Sequence, residues 1–355
     1  MRCKDELFYE AIELLGSMIS TPSISGEEDS VCSLIEGYLR GDNIEYERHL
    51  NNIWAYAQEY DPEKRTILLN SHIDTIKPVK GWEYDPFVPT EVNGSIYGLG
   101  SNDAGASVVS LIAAFKYLRN RTLSYNLILS VTAEEENSGF NGVEALLTKL
   151  PPIDLAIVGE PTQMQAAIAE KGLLVVDCSV VGKSGHAARD EGVNAIYLAL
   201  PIIDKVRNFR FARVSDFLGE VKCTVTMVNA GTQHNVVPDC CNFTIDIRTN
   251  ELYSNQETLD ILSEALPCEV KARSLRLNSS QIDRSHPIVM RAETLGLNLY
   301  GSPTLSDQSR MNFPSIKIGP GDSARSHTAN EFIKKEEIRE GIEIYTKLLD
   351  GLILD

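Results

Sequence analysis

The chain has no C-x-x-C pair, no run of basic residues, no long apolar stretch and no G-x-S-x-G turn, and each absence removes a class of function. The seven cysteines (3, 32, 178, 223, 240, 241 and 268) are odd in number and scattered. They read as reduced core thiols rather than a disulfide frame or a zinc knuckle. Lys and Arg total 33 against 50 Asp and Glu, a formal charge of −17. A surface that acidic repels phosphate backbones and anionic lipid, so neither a nucleic-acid nor a membrane partner is expected. No apolar stretch approaches the roughly 18–20 residues of a membrane span. Asp5 and Glu6 stand where a signal peptide needs an apolar run, so a cytoplasmic location is expected. Without a G-x-S-x-G elbow behind a strand, a serine hydrolase is disfavoured.

What is present is an ordinary globular composition, 43% hydrophobic and 23% charged, over 355 residues. That length exceeds what one core usually supports and predicts two domains. Apolar positions at helical spacing mark residues 5–19, and Ser25 with Glu28 fits a capping box opening a second helix. Nearly unbroken apolar strands follow at 66–70, 127–131 and 155–158, alternating with a buried helix at 104–118. Strands apolar on both faces and alternating with helices predict an α/β layer with a mainly parallel sheet. From about Leu173 the order becomes strand (173–181), helix (193–208), strand (221–229), strand (241–249), helix (255–266), strand (269–277). That β-α-β-β-α-β order is the ferredoxin-like unit. The expected fold is therefore an α/β catalytic domain of residues 1–171 and 283–355, with a ferredoxin-like domain, 172–282, inserted into it.

Three of the apolar strands run into acidic or imidazole side chains: His72-Ile-Asp74, Glu134-Glu-Glu136 and Glu160, while Asp103 heads a helix behind a glycine-rich turn. Taken singly these are weak signals, a surface loop, a solvated face and a turn. Together they are stronger, because ligands gather at the carboxyl ends of strands and carboxylates rarely end apolar strands unpartnered. Convergent like charges call for divalent cations. His72 and Asp74 share one side of an extended segment, so Asp74 can accept the second imidazole N–H while His72 binds a metal. His327 follows a glycine turn far downstream. Imidazoles and carboxylates without thiolate suit two zinc or cobalt ions.

The set Ser71-His-Ile-Asp74, Gly98-Leu-Gly-Ser-Asn-Asp103, Thr132-Ala-Glu-Glu-Glu136, Gly159-Glu-Pro161, Gly185-His-Ala-Ala-Arg189 and His327-Thr-Ala-Asn-Glu331 resembles the di-zinc metallopeptidases that include acetylornithine deacetylase, succinyl-diaminopimelate desuccinylase, aminoacylase and carboxypeptidase G. The motifs fall in order over nearly the whole chain, and within the family they look most like deacylases of ornithine or lysine type. The resemblance implies that His72 and Glu160 bind one metal, Glu136 and His327 the other, and that Asp103 bridges them. It implies that Asp74 orients His72 and that Glu135 is the general base, with Glu134 in the place of the family's usual Asp. A slip of one residue would make Glu134 the base and Glu135 the ligand. His186, in a lid that is also the dimerisation domain, would reach the oxyanion from a partner subunit. Asn235 and Arg248 resemble the family's contacts to substrate and its carboxylate. The chain departs from the pattern at Leu99, where many members have Arg, and at Ala104-Gly105-Ala106, where they have x-Lys-Gly. A cis peptide after Asp103 is also implied. The expected function is removal of the acyl group from an N-acyl amino acid by a homodimer. N-acetyl- or N-succinyl-ornithine, in arginine biosynthesis, is the leading substrate. Succinyl-diaminopimelate, N-acetyl-lysine and dipeptides remain alternatives, and a non-catalytic binding protein is a remote one.

Overall fold

The computed structural model describes residues 3–189 and 191–354. The chain forms two compact units, Met1–Ile168 with Ile282–Tyr300 and Ser306–Asp355, and Ala169–Gln281 with Gly301–Leu305.

The first unit is a mixed α/β layer around one sheet. Four strands run parallel at its centre, in the order Asn126–Thr132, Thr66–His72, Leu155–Val158, Ser315–Lys317. Every residue of these strands is buried, which is why they read as continuous apolar runs. Antiparallel strands flank them: Asn52–Tyr56 and then Glu47–His49 on one side, Ala166–Glu170 on the other. The helix Ala106–Leu118 is buried on nearly all sides and packs against Lys4–Ile19 and Lys335–Leu349. Its small residues, Ala106, Ser107, Ser110, Ala113 and Ala114, allow that close approach.

Because the central strands are parallel, their carboxyl ends share one edge. His72 pairs with Thr132, so the Glu134–Glu136 turn starts beside the residues that follow His72, and Glu160 follows Val158 two positions on. A separate antiparallel sheet of Thr90–Val92, Ser95–Tyr97 and Phe332–Lys334 closes the same edge. Its Tyr97–Phe332 pairing sets Gly98–Asp103 against the segment that ends in Glu331, and the Gly98 N–H donates to the Glu331 carbonyl at 3.0 Å.

The main elements of the second unit follow in the order Gly172–Val181, Ala195–Asn208, Lys222–Ala230, Cys240–Thr249, Asn255–Ala265, Glu269–Ala272, with the short strands Gly185–His186 and Val236–Val237 interposed. Its strands lie antiparallel in the order Lys222–Ala230, Cys240–Thr249, Gly172–Val181, Glu269–Ala272. Burial alternates along Gly172–Val181, with Leu174, Val176, Cys178 and Val180 facing a core shared with Ala199, Val206 and Leu262. Asn194 and Ser254 cap the two helices by accepting the N–H of Ile196 and Glu257.

Several local expectations are corrected. The second helix spans Asp29–Gly41 with no side-chain cap, because the Ser25 hydroxyl donates to Asp74 Oδ2 at 2.7 Å instead. The strand expected over 269–277 stops at Ala272. Gly301–Leu305 groups with the second unit rather than with the residues on either side. Gly301 lies so close to Phe217 that a Cβ there would stand 2.4 Å from the Phe217 carbonyl, and the Lys171 N–H donates to Ser302. All seven cysteines are free thiols, and no helix among the described residues is long and apolar enough to cross a membrane.

Phe115 is fully buried in the largest core cluster. Phe115→Ala should therefore lower stability by about 3–5 kcal/mol, read as the shift of a urea transition followed by circular dichroism.

Candidate metal centre

The Thr66–His72 strand delivers His72 to the sheet edge fully buried, and backbone geometry fixes its ring. Nδ1 lies 3.0 Å from the Asp74 carbonyl oxygen, which can only accept, so Nδ1 carries the proton. Nε2 then faces Asp103 Oδ1 at 3.2 Å and Glu160 Oε1 at 3.8 Å. The Asp74 carboxylate is 3.4 Å from Nδ1, and its closer partners are Ser25 Oγ and the N–H groups of Glu135 and Glu136, at 3.0 and 3.1 Å. Asp74 thus holds the start of the acidic turn as well as lying beside the imidazole.

Asp103 sits in an irregular turn, Ser101–Gly105, ahead of the buried helix, and the Asp103–Ala104 peptide is cis. Its Oδ1 faces His72, and its Oδ2 lies 3.8 Å from His327 Nε2. His327 Nε2 is also 2.9 Å from Glu136 Oε2. Donor atoms of His72, Asp103 and Glu160 lie within 4.8 Å of one another, and so do those of Asp103, Glu136 and His327. The two triads share Asp103, with one carboxylate oxygen turned to each imidazole.

The three glutamates of the acidic turn face different ways. Glu134 has φ of +55°, and its carboxylate accepts from the backbone and side-chain N–H of Asn141 at 3.0 and 2.9 Å. It closes the 134–141 loop. Glu136 reaches His327. Glu135 belongs to neither triad; it is half-buried, and the charges that act on its carboxyl most are those of His72, Glu160, Asp307 and Glu136.

Electrostatics follow from this crowding. Burial pushes Glu160 up to about 8, helped by the charges of Asp103 and Asp307 and opposed by His72 and Lys317. Burial likewise holds Glu135 well above the usual carboxylate range, with Glu160, Asp307 and Glu136 adding to it against His72. Burial opposes charging of His72, yet its bonds to Asp103 and Asp74 keep it well above the ordinary imidazole value. The contact with Glu136 raises His327 to about 9. Buried oxygen donors that resist ionisation for want of counter-charge, together with two imidazoles and no thiolate, are a set that divalent cations complete.

Sequence reasoning missed two buried acids here. Glu331 accepts the N–H groups of Gly100, Asn102 and Asp103 at 3.0, 2.9 and 2.9 Å, so one carboxylate fixes the whole approach to Asp103. Burial and the Asp103 charge lift it to about 8. Its signal was available, since it is one more acid abutting an apolar strand, Phe332–Lys334. Asp307 accepts from Asn70 Nδ2 and Thr132 Oγ1, both at 2.8 Å. Its surroundings, Ser306-Asp-Gln-Ser-Arg310, read only as a solvated turn.

The remaining candidates lie in the second unit. His186 is exposed in the short strand Gly185–His186, which pairs with Val236–Val237, and its Nδ1 accepts the Ala188 N–H at 3.1 Å. Asn235 is exposed and its carbonyl accepts the Ala187 N–H at 3.0 Å. Arg248 is engaged by Asp246, with Nε and Nη2 at 2.9 and 3.1 Å from its carboxylate oxygens.

Comparison with known proteins gives the same picture over most of the chain. The model of peptidase family M20/M25/M40 matches residues 68–351. The chain is 27% identical to the acetylornithine deacetylase of Klebsiella pneumoniae, over 95% of this chain and 96% of that protein. It is 24% identical to the succinyl-diaminopimelate desuccinylase of Sulfurimonas denitrificans, over 96% and 99% respectively. In fold it is similar to a Bacillus cereus aminopeptidase, with TM-score 0.77, 18% identity and 96% and 98% of the two chains covered. A dinuclear metal-binding peptidase of Bacillus subtilis aligns with TM-score 0.74, 16% identity and coverage of 97% and 98%.

Glu331→Ala leaves three backbone donors at the turn without their acceptor. Zinc titration calorimetry should show affinity weakened roughly 10–100-fold, the range for residues that hold metal ligands in place.

Proposed function

Given that the chain belongs to peptidase family M20/M25/M40 and is a metal-dependent hydrolase, we propose that it removes the acyl group from an N-acyl amino acid, with N-acetyl- or N-succinyl-ornithine as leading substrates and arginine biosynthesis as the setting. The observation that carries the reading is a pair of ligand triads sharing Asp103, with Glu135 next in the chain to the ligand Glu136 and free of both triads. His72, Asp103 and Glu160 would hold one ion, and Asp103, Glu136 and His327 the other, with zinc or cobalt the metals that suit imidazole and carboxylate donors. Such a pair lowers the pKa of a water and polarises an amide carbonyl.

The chain's own residues do the rest. Glu135, outside both triads, takes the proton of the attacking water and returns it to the departing amine. Asp74 fixes the His72 ring and the start of the acidic turn. The second unit is a ferredoxin-like lid and dimerisation domain, and His186 on it donates to the developing oxyanion from a partner subunit. Arg248 and Asn235 contact the substrate, Arg248 through the fork geometry that suits a carboxylate; that role requires it to leave Asp246. A solution homodimer in the cytoplasm completes the proposal. The desuccinylase similarity supports succinyl-diaminopimelate as the second substrate.

The test is a panel of kcat/KM values on acetylornithine, succinylornithine, acetyl-lysine, succinyl-diaminopimelate and dipeptides, with zinc-loaded and metal-stripped protein. The highest value is expected on an N-acyl-ornithine, with activity lost on stripping; full activity without metal, or a preference for dipeptides, would overturn it. Glu135→Gln should keep both metals and lose roughly 10²–10⁴ in turnover, whereas near-normal turnover in this variant would move the base to Glu134. His186→Ala should lower kcat roughly 10²–10³ without loss of metal. Mixed dimers of His186→Ala and Glu135→Ala chains should regain activity, and no recovery would confine His186 to its own chain.

A further inference from the structure

We propose that Asp307 is a positioning residue that sets the separation between His72 and the Glu134–Glu136 turn by tying together the ends of the two strands that carry them. The inference rests on reading the site as a metal centre. Asp307 opens the short 3-10 turn Asp307–Arg310 and is 6% exposed. One of its oxygens, Oδ2, accepts both from Asn70 Nδ2 and from Thr132 Oγ1. Asn70 lies two residues before His72, and Thr132 is the residue paired with His72 and stands two before Glu134. The strands part just beyond this point, where the Ile73 N–H donates to the Thr132 carbonyl at 2.8 Å.

The tie extends on both sides. Asn70 Oδ1 accepts from Ser130 Oγ at 2.6 Å, and Ser130 is paired with Asn70 across the ladder. From the other end of the same turn, Arg310 Nη2 donates to the Ser138 carbonyl at 3.0 Å, two residues beyond Glu136. The turn therefore grips the acidic segment before it begins and after it ends. A carboxylate is costly among the apolar side chains of this face, Leu68, Ile128, Val158 and Met311 among them. One acceptor oxygen bonded to two strands at once offsets that cost by fixing their spacing.

The experiment compares Asp307→Ala, Asp307→Asn and Thr132→Val. Asn keeps an acceptor oxygen in place, and Thr132→Val removes one bond without leaving an orphaned donor should the alanine variant fail to fold. The readouts are the zinc dissociation constant by chelator competition, hydrogen exchange of the Ile73 amide in metal-free protein, and turnover. Asp307→Ala or Thr132→Val should weaken zinc binding roughly 10–100-fold and speed Ile73 exchange, with Asp307→Asn recovering most of both. Unchanged zinc affinity and exchange in a folded Asp307→Ala or in Thr132→Val would overturn the proposal. So would an Asp307→Asn as impaired as Asp307→Ala, since charge alone would then matter. Absence of turnover on every acyl substrate by the unmodified enzyme would instead count against the proposed function, because the zinc and exchange readouts stand without it.

Discussion

Like charge confined to a small volume at one end of a buried sheet is the constraint around which the first unit is organised. Asp74, Asp103, Glu135, Glu136, Glu160, Asp307 and Glu331 converge at one end of a buried sheet, with two imidazoles and Lys317 nearby. In water such groups would repel weakly and move apart; within apolar strands they cannot. Three of them, Asp74, Asp307 and Glu331, are held by donors of the protein itself. Backbone N–H groups face Asp74 and Glu331, while hydroxyl and amide donors of Ser25, Thr132 and Asn70 face Asp74 and Asp307. The cluster persists because its neighbours are secondary structure.

The division of labour among the acids follows from which oxygens are already occupied. The carboxylates of Asp74, Glu134, Glu331 and Asp307 accept bonds from the protein itself and so serve geometry. Asp103, Glu136 and Glu160 turn toward the imidazoles, and these three are the acids of the two triads. An acid's chemistry in this site is thus set by whether a backbone or side-chain donor has claimed it.

Much of this was legible in the sequence. Continuous apolar strands such as 127–131 and 155–158 announce burial on both faces, and an acid just past such a strand announces a shared edge. That argument reached His72, Glu160 and the Glu134–Glu136 turn, whereas Asp103, His327 and the choice of Glu136 within the turn came from the family resemblance. What escaped reading depended on long-range contacts with no local pattern. Ser25 and Glu28 satisfy a capping rule on paper, but Asp74, 49 residues away, takes the Ser25 hydroxyl. Asp307 lies in a stretch that reads as a polar turn and acquires its partners 237 and 175 residues back along the chain. Gly301–Leu305 crosses to the second unit for a steric reason, the close approach to Phe217, that composition cannot express.

The bond from the Asp103 N–H to Glu331 spans 228 residues, and it has a consequence for biosynthesis. Chains grow from the N-terminus at roughly 5–20 residues per second, and early segments fold as they emerge. Asp103 leaves the ribosome well ahead of Glu331 and His327. During that interval the nascent polypeptide carries four of the five triad residues but lacks both His327 and the carboxylate that fixes the approach to Asp103, so the second triad is completed only when nearly the whole chain has been made.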